Sequence, residues 1–235
     1  MENIYIISDV HGCYKTLLAL IDQFPNKQNS KICFVGDVID RGKNSCEVVE
    51  LIINNKYDCV RGNHESLFIE NTSYDYFKIV PKGDSNHWFS KCGGKETLDS
   101  YTSYETYKKH WSFLEFLPHY IEYKDYKTAD GRYLVVSHSA VAKMWNLRHE
   151  RMSNLLNYSE FTNYVLNNRY KQFDNKDIFN VYGHTVRSEV KMTEFDCNID
   201  LGCCYKQIGD EVKNPRLCAL EFPSMKIYSQ ENLED

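Results

Sequence analysis

The chain has no long apolar run, no paired cysteine spacing, no surplus of positive charge and no linker, and each absence removes a class of protein. No stretch of ~20 apolar residues occurs, so no membrane-spanning helix and no membrane partner is expected. The opening MENIYIISDV lacks the basic start and apolar centre of a signal peptide, which predicts a cytoplasmic location. The nine cysteines are odd in number and none falls in CxxC spacing. They are expected to be small buried apolar residues in a reducing compartment. Cys203 and Cys204 are neighbours and cannot bridge each other without strain. Lys and Arg number 28 against 33 Asp and Glu, a net charge of -5, so no broad nucleic-acid surface is expected. There is no internal repeat, no low-complexity tract and no Pro/Gly/Ser stretch, so residues 1–235 are predicted to form one domain.

What is present is enough for a full core: 42% of residues are hydrophobic and 14% aromatic. NIYII at 3–7 predicts a buried strand and ends at SDVHG, with an amphipathic helix following from Tyr14 to Phe24. KICFV at 31–35 predicts a second strand ending at GDVIDRG, with a helix from Ser45 to Asn54. YDCVRG at 57–62 predicts a third, ending at GNHE. Three strand–motif–helix units in succession imply parallel strands joined by right-handed crossovers. In such sheets ligands bind beyond the strand ends, where all three motifs lie. Residues 93–117 read as helical, HYIEY and RYLVVSH as a hairpin turning at Asp130-Gly131, and YSEFTNYVLNNRY as a helix. IFNVYGH, MTEF, NIDLG, CYKQIG, LCALEF and MKIYS read as strands. The fold class is therefore α/β, with two sheets packed face to face and helices outside.

The motifs gather the ligand types of a two-metal site. Asp9 and His11 are two apart on an extended segment, so both side chains can reach one ion. Asp37 follows the second strand, where a carboxylate can bridge two ions ~3.5–4 Å apart. Asn63 offers an amide oxygen, and His138 and His184 end predicted strands where they can supply imidazoles to the second ion. Two divalent ions against two aspartates leave positive charge for an anionic phosphate and lower the pKa of a bridging water. His87, His110, His119 and His149 are expected to be ordinary core or surface residues.

The catalytic groups follow from adjacency. His64, beside Asn63, can lie near the ions without binding them and donate to a leaving-group oxygen as general acid. Asp40 is the carboxylate expected to hold it charged, and Arg41 can grip phosphate oxygens with its planar fork.

Taken together, SDVHG, GDVIDRG and GNHE resemble the calcineurin-like metallophosphoesterase superfamily. Within it they resemble most the phosphoprotein phosphatase branch around the bacteriophage lambda protein phosphatase and its bacterial relatives. NHWFSKCGGKETLDSY at 86–101 is similar to that branch's Trp-then-Asn-Gly-Gly segment. The resemblance, which runs from about Ile4 to Gly202, implies a four-layer αββα sandwich of two mixed β-sheets flanked by helices. It implies metal ligands at Asp9, His11, Asp37, Asn63, His138 and His184, general acid His64 with partner Asp40, and phosphate contacts from Arg41 and Asn63. A second phosphate-binding arginine is implied before the last ligand histidine, at Arg169, with Arg148 as the other candidate. Cys92 stands where the family has Asn, and Ser139-Ala140 follows His138 where it has Ala-Gly, and both changes are expected in the pocket wall.

The activity implied is a metal-bridged hydroxide attacking the phosphorus of a phosphomonoester, with phosphoserine, phosphothreonine or phosphotyrosine of proteins as substrates. A dinucleoside polyphosphate such as diadenosine tetraphosphate is the competing substrate, and an inactive phosphate-binding module is the reading from outside enzymology. The implied cofactors are two divalent ions, manganese first, with Fe, Zn, Ni or Mg accepted by the same donors. The implied partner is a phosphoprotein or a small phosphoester.

Overall fold

Residues 3–78, 86–152, 155–169, 175–205 and 212–234 are described in the computed structural model. The N-terminal sheet takes its centre from the three predicted units. Strands β1 (Ile4–Ile7) and β2 (Lys31–Phe34) pair in parallel, and β2 pairs in parallel with β3 (Asp58–Cys59). On the other side of β1, antiparallel β9 (Arg216–Phe222) and β10 (Lys226–Glu231) complete the order β10-β9-β1-β2-β3. The second sheet has the order β4-β5-β6-β8-β7, from β4 (Tyr120–Lys127), β5 (Tyr133–Ser137), β6 (Ile178–Tyr182), β7 (Lys191–Met192) and β8 (Asp196–Asn198). Its inner strands β5, β6 and β8 are parallel and its edges antiparallel, so both sheets are mixed.

Strand alternation divides the core into three layers. Ile4 and Ile6 of β1, with Cys33 and Val35, meet Leu134, Val136, Phe179 and Val181 between the two sheets. Tyr5 and Ile7 point the other way, against Leu17, Leu20 and Ile21 of α1 (Tyr14–Asp22) and Val48, Val49 and Ile52 of α2 (Ser45–Asn55). Val135 and Ile178 face away from the interface too, against Trp145 of a 3-10 helix (Ala142–Met152) and Phe161 and Val165 of α7 (Leu155–Asn167). Each such Ile, Leu, Val or Phe contributes roughly 1.5–3 kcal/mol on burial; the middle layer joins the two sheets and the outer two join each sheet to its helices. This is the helix–sheet–sheet–helix order.

Four further helices fill the middle of the chain: α3 (Asn63–Asn71), α4 (His87–Lys91), α5 (Gly94–Ser100) and α6 (Tyr104–Glu115). The main departures from the sequence reading are at strand ends. YDCVRG pairs only over Asp58–Cys59, because Arg61 N–H donates to Pro118 O at 2.7 Å and the chain then turns into α3. MTEF yields only the end of β7, and β8 stops before Asp200. In CYKQIG, Cys204 lies in a turn and Tyr205 in a helical conformation, while residues 206–209 lie outside the described residues. Among the described residues no helix is long and apolar enough to cross a membrane.

Candidate active site

The site lies where the ends of β1, β2, β5 and β6 meet the start of α3. One pocket is lined by Asp9, His11, Asp37, Arg41, Asn63, His64, Arg169 and His184, all singled out from sequence, together with Val186, Asp200, Gly202 and Tyr205. Five of its residues or their neighbours carry the left-handed backbone that side chains avoid: His11 (φ 48°), Asp37 (49°), Asp40 (70°), Arg41 (67°) and His184 (65°). Such strain persists only where surrounding contacts over-determine it, and it marks functional sites.

Much of that over-determination comes from Glu65, which sequence reading passed over. Its fully buried carboxylate accepts from Asp37 N (2.8 Å), Gly62 N (2.7 Å) and Val38 N (2.9 Å), and so clamps the GDVID loop to the start of α3. Burial, with Asp37 close by, pushes its pKa up to about 7. His64 N–H in the first turn of α3 donates to Asp37 Oδ1 at 3.0 Å, where the helix N-terminus favours a carboxylate. Gly62 and Gly183 are close-approach positions: a Cβ would lie 2.2 Å from Asp37 Oδ1 at the first and 1.9 Å from Asp9 Oδ1 at the second.

Asp37 is the hub. His11 Nε2 lies 3.6 Å from its Oδ2, and His138 Nε2 lies 3.5 Å from its Oδ1. Burial alone would raise the Asp37 pKa, but His138, His64, His11 and His184 around it, where they carry a proton, outweigh burial and hold it below the usual carboxylate range. Two groups of donor atoms share it: His11, Asp37 and His64, and Asp37, His138 and His184. Asp9 belongs to neither group, although it lines the pocket and accepts the His184 N–H at 3.1 Å.

Tautomers show what these groups lack. His11 Nδ1 donates to Ile39 O and His138 Nδ1 to Val35 O, both at 2.9 Å, so each neutral ring turns the lone pair of Nε2 into the site. His138 Nε2 then faces Asn63 Oδ1 at 2.9 Å and His184 Nδ1 at 3.0 Å. Lone pairs converging on one point are satisfied by a cation. Burial keeps His138 neutral and, with His138 adjacent, drops His184 to about 3. Burial and the neighbouring Asp200 and Asp37 push Asp9 well above its ordinary value, and burial pushes Asp200 up to about 6. A divalent cation relieves that crowding of negative charge. The convergent donors thus fit a divalent-metal site: Asp37 with His11 and His64, and Asp37 with His138 and His184, with Asn63 beside His138, while Asp9 lines the same pocket. Asp200 is an addition: within NIDLG it read as a strand residue, and no motif marked it.

Beside the cluster stands a hydrogen-bonded relay. His64 Nδ1 lies 2.7 Å from Asp40 Oδ2. Asp40 is fully buried and also accepts from Trp88 Nε1 (2.8 Å) and Thr97 Oγ1 (2.6 Å). Burial draws the His64 pKa down, but the Asp37 and Asp40 carboxylates outweigh it and the net direction is up. Trp88 and Thr97 belong to the NHWFSKCGGKETLDSY segment, which thereby has a physical role. Its Gly93, at φ 92°, lets α5 approach the Arg41 backbone, since a Cβ there would lie 2.0 Å from Arg41 N. Gly94 packs on the Trp88 ring.

The two arginine candidates separate. Arg169, two residues past α7, lines the pocket and donates from Nη1 to His184 O at 3.1 Å. Arg148 is not on the pocket; it lies 4.1 Å from the Trp145 ring centroid and donates to Trp145 O. Cys92 and Ser139, expected in the pocket wall, are not among its lining residues. Ser139 is buried behind His138, where its hydroxyl donates to Val165 O and accepts Asn168 N, tying that loop to the end of α7. Cys92 ends α4, its N–H donating to Trp88 O.

Residues 2–188 match the model of the calcineurin-like phosphoesterase family. The chain belongs to that family. Its divalent-metal hydrolase chemistry agrees with the convergent donors above. Among curated proteins, the chain is 28% identical to "Serine/threonine-protein phosphatase 2" of Escherichia coli, over 86% of this chain and 88% of that one. It is 24% identical to "Bis(5'-nucleosyl)-tetraphosphatase PrpE [asymmetrical]" of Oceanobacillus iheyensis, over 95% of this chain and 90% of that one. A solved protein serine/threonine phosphatase from Saccharomyces cerevisiae superposes with a TM-score of 0.57 at 14% identity, covering 100% of this chain and 81% of that one. At that identity the likeness speaks for the fold alone.

Proposed function

We propose that this phosphoesterase is a two-metal phosphomonoesterase acting on phosphoserine and phosphothreonine side chains of proteins, with phosphotyrosine accepted. The observation that carries the reading is the sharing of Asp37 between two donor groups, with the His64–Asp40 pair and both arginines beside it. When bound, the ions supply water activation and a clamp on phosphoryl oxygens. Because Nδ1 is committed to Asp40, Nε2 is the atom from which His64 donates to the leaving-group oxygen, once a phosphoryl group draws away the Arg41 Nη2 donor that lies 3.3 Å from it here. Arg41 and Arg169, which both line the pocket, bind phosphoryl oxygens. Val186 and Tyr205 are the aliphatic and phenolic side chains in a lining otherwise of charged and polar residues and one glycine, which suits a phosphoryl group on a short side chain. Manganese is the proposed ion, since a nitrogen-plus-oxygen donor set suits it, and Fe, Zn, Ni and Mg are the alternatives. Nine free thiols support a reducing, cytoplasmic setting.

A dinucleoside polyphosphate substrate is the second reading, favoured by the match along 95% of this chain to the tetraphosphatase of Oceanobacillus iheyensis. Turnover of a phosphoserine peptide and of diadenosine tetraphosphate, measured side by side with manganese, separates the two. The peptide is expected to turn over faster by kcat/KM, and the reverse order overturns the protein-phosphatase reading. p-Nitrophenyl phosphate is expected to be hydrolysed as well. No turnover with Mn, Mg, Ni, Zn or Co moves the protein to a phosphate-binding module.

Arg169→Ala is expected to raise the inhibition constant of inorganic phosphate by roughly 10-fold or more, the worth of hydrogen bonds from a charged donor, at unchanged metal content. Arg148→Ala is expected to change neither. Competitive inhibition assays on both variants check this, and the opposite pattern reverses the assignment.

A further inference from the structure

Arg41 is aimed at the site from an unusual place. It sits in left-handed backbone at the tip of the GDVIDRG loop, and its guanidinium must cross toward His64, whose Nε2 is 3.3 Å from Nη2. An exposed arginine would sample many rotamers from such a tip. This one is held by the turn after β8, in the C-terminal half of the chain. Nη1 donates to Cys204 Sγ at 3.4 Å, and the guanidinium carbon lies 5.2 Å from the Tyr205 ring centroid. The turn is itself pinned on both sides. Gly202 N–H donates to Asp200 Oδ1 at 2.9 Å, and Asn232 Nδ2 donates to Cys203 O at 2.7 Å. Cys204 is fully buried, and burial pushes its thiol up to about 12, so the sulfur meets Arg41 as a neutral acceptor.

We propose that Cys204 is a positioning residue for the phosphate-binding Arg41, fixing its fork toward His64 with Tyr205 stacked on the guanidinium. The proposal rests on the phosphomonoesterase reading and deepens it. A sulfur acceptor is weak, but it is directional and the donor is charged. The cation–π contact limits the guanidinium plane, and the sulfur sets its rotation. Without them Arg41 remains charged and near the pocket but has to find its pose on each binding event, which lowers affinity for the phosphoryl group.

The test is a double-mutant cycle on the metal-loaded protein, read by the inhibition constant of inorganic phosphate and by KM and kcat for p-nitrophenyl phosphate. Cys204→Ala is expected to raise the phosphate constant and KM by about 3–10-fold, below the full worth of a charged hydrogen bond because sulfur accepts weakly. Metal stoichiometry and Tm are expected to hold. Cys204→Ser, which restores an acceptor, is expected to recover most of the loss. In an Arg41→Ala background, Cys204→Ala is expected to add nothing. Unchanged constants in Cys204→Ala, an equal loss in the Arg41→Ala background, or no recovery with serine each overturn the proposal. Should the alanine variant fail to fold, Tyr205→Leu takes its place, since Tyr205 is half-buried, and unchanged phosphate inhibition there overturns the proposal equally. Calorimetric titration of inorganic phosphate reads Arg41 without turnover. Absent wild-type hydrolysis with phosphate still bound therefore counts against the phosphomonoesterase reading, whereas normal hydrolysis with a silent Cys204 counts against this inference alone.

Discussion

Replacing His64 with asparagine is expected to lower turnover of phosphoserine peptides by about 10²–10⁴-fold, the usual worth of a positioned general acid. Metal content is expected to stay the same although the ring stands in one donor group with His11 and Asp37, because Nδ1 is committed to Asp40 at 2.7 Å and Arg41 Nη2 donates toward Nε2 at 3.3 Å. p-Nitrophenyl phosphate is expected to lose much less, since nitrophenolate departs with little protonation. The contrast between the two substrates is the diagnostic quantity. Asp40→Asn is expected to show a milder form of the same contrast. Its carboxylate is one of the groups that raise the His64 pKa, and Trp88 and Thr97 would still orient what remains. Steady-state kinetics on both substrates, with metal analysis, checks this. An equal loss on both would mean that His64 positions metal or phosphate instead.

The reach of sequence reading follows the range of the contacts. SDVHG, GDVIDRG and GNHE were legible because each is a local device: a strand end, a tight loop, and residues whose types alone declare their chemistry. The parallel β1–β2–β3 order was legible for the same reason, since a strand, a turn and an amphipathic helix repeat within short stretches. Trp88 and Thr97 act on Asp40 from 48 and 57 residues away, and nothing local says that a tryptophan nitrogen will end on a buried carboxylate. Glu65 was in plain view in GNHE, but an acid in the first turn of a helix is ordinarily a solvated cap. Its clamp on the Asp37 loop exists only once β2 and α3 are side by side. Asp200 and Cys204 were hidden by a wrong period: NIDLG and CYKQIG alternate like strands, whereas the β8 ladder ends at Asn198, only isolated bridges from Leu201 and Gly202 to Arg216 follow, and the chain then turns at the pocket. Ser139 failed in the opposite direction. A departure beside a ligand histidine suggested a change in the pocket wall, yet the side chain points to α7 and ties the His138 loop to the segment that carries Arg169.

The largest loss is expected at Asp37. Two histidines from the N-terminal half, His11 and His64, and two from the C-terminal half, His138 and His184, all lower the pKa of this one carboxylate. Its two oxygens divide the work: Oδ1 accepts His64 N–H and faces His138, and Oδ2 faces His11. No other residue belongs to both donor groups among the described residues. Removing it as Asp37→Ala leaves the other proposed ligands, Asp9, His11, Asn63, His138 and His184, with no anion shared between the two ions, so occupancy is expected to fall from two ions to one or none. Turnover is expected to fall by at least roughly 10³-fold, because water activation and the clamp on phosphoryl oxygens are lost together. Wild-type protein dialysed against a strong chelator is expected to show the same loss and to regain activity when manganese is returned; the Asp37→Ala protein is not. Asp9→Ala provides the contrast, since Asp9 lies outside both groups and is expected to cost one ion at most. Metal analysis alongside p-nitrophenyl phosphate turnover reads all three cases. Full activity in chelator, or two ions retained by Asp37→Ala, would show that the convergent lone pairs around Asp37 serve the fold and not a metal.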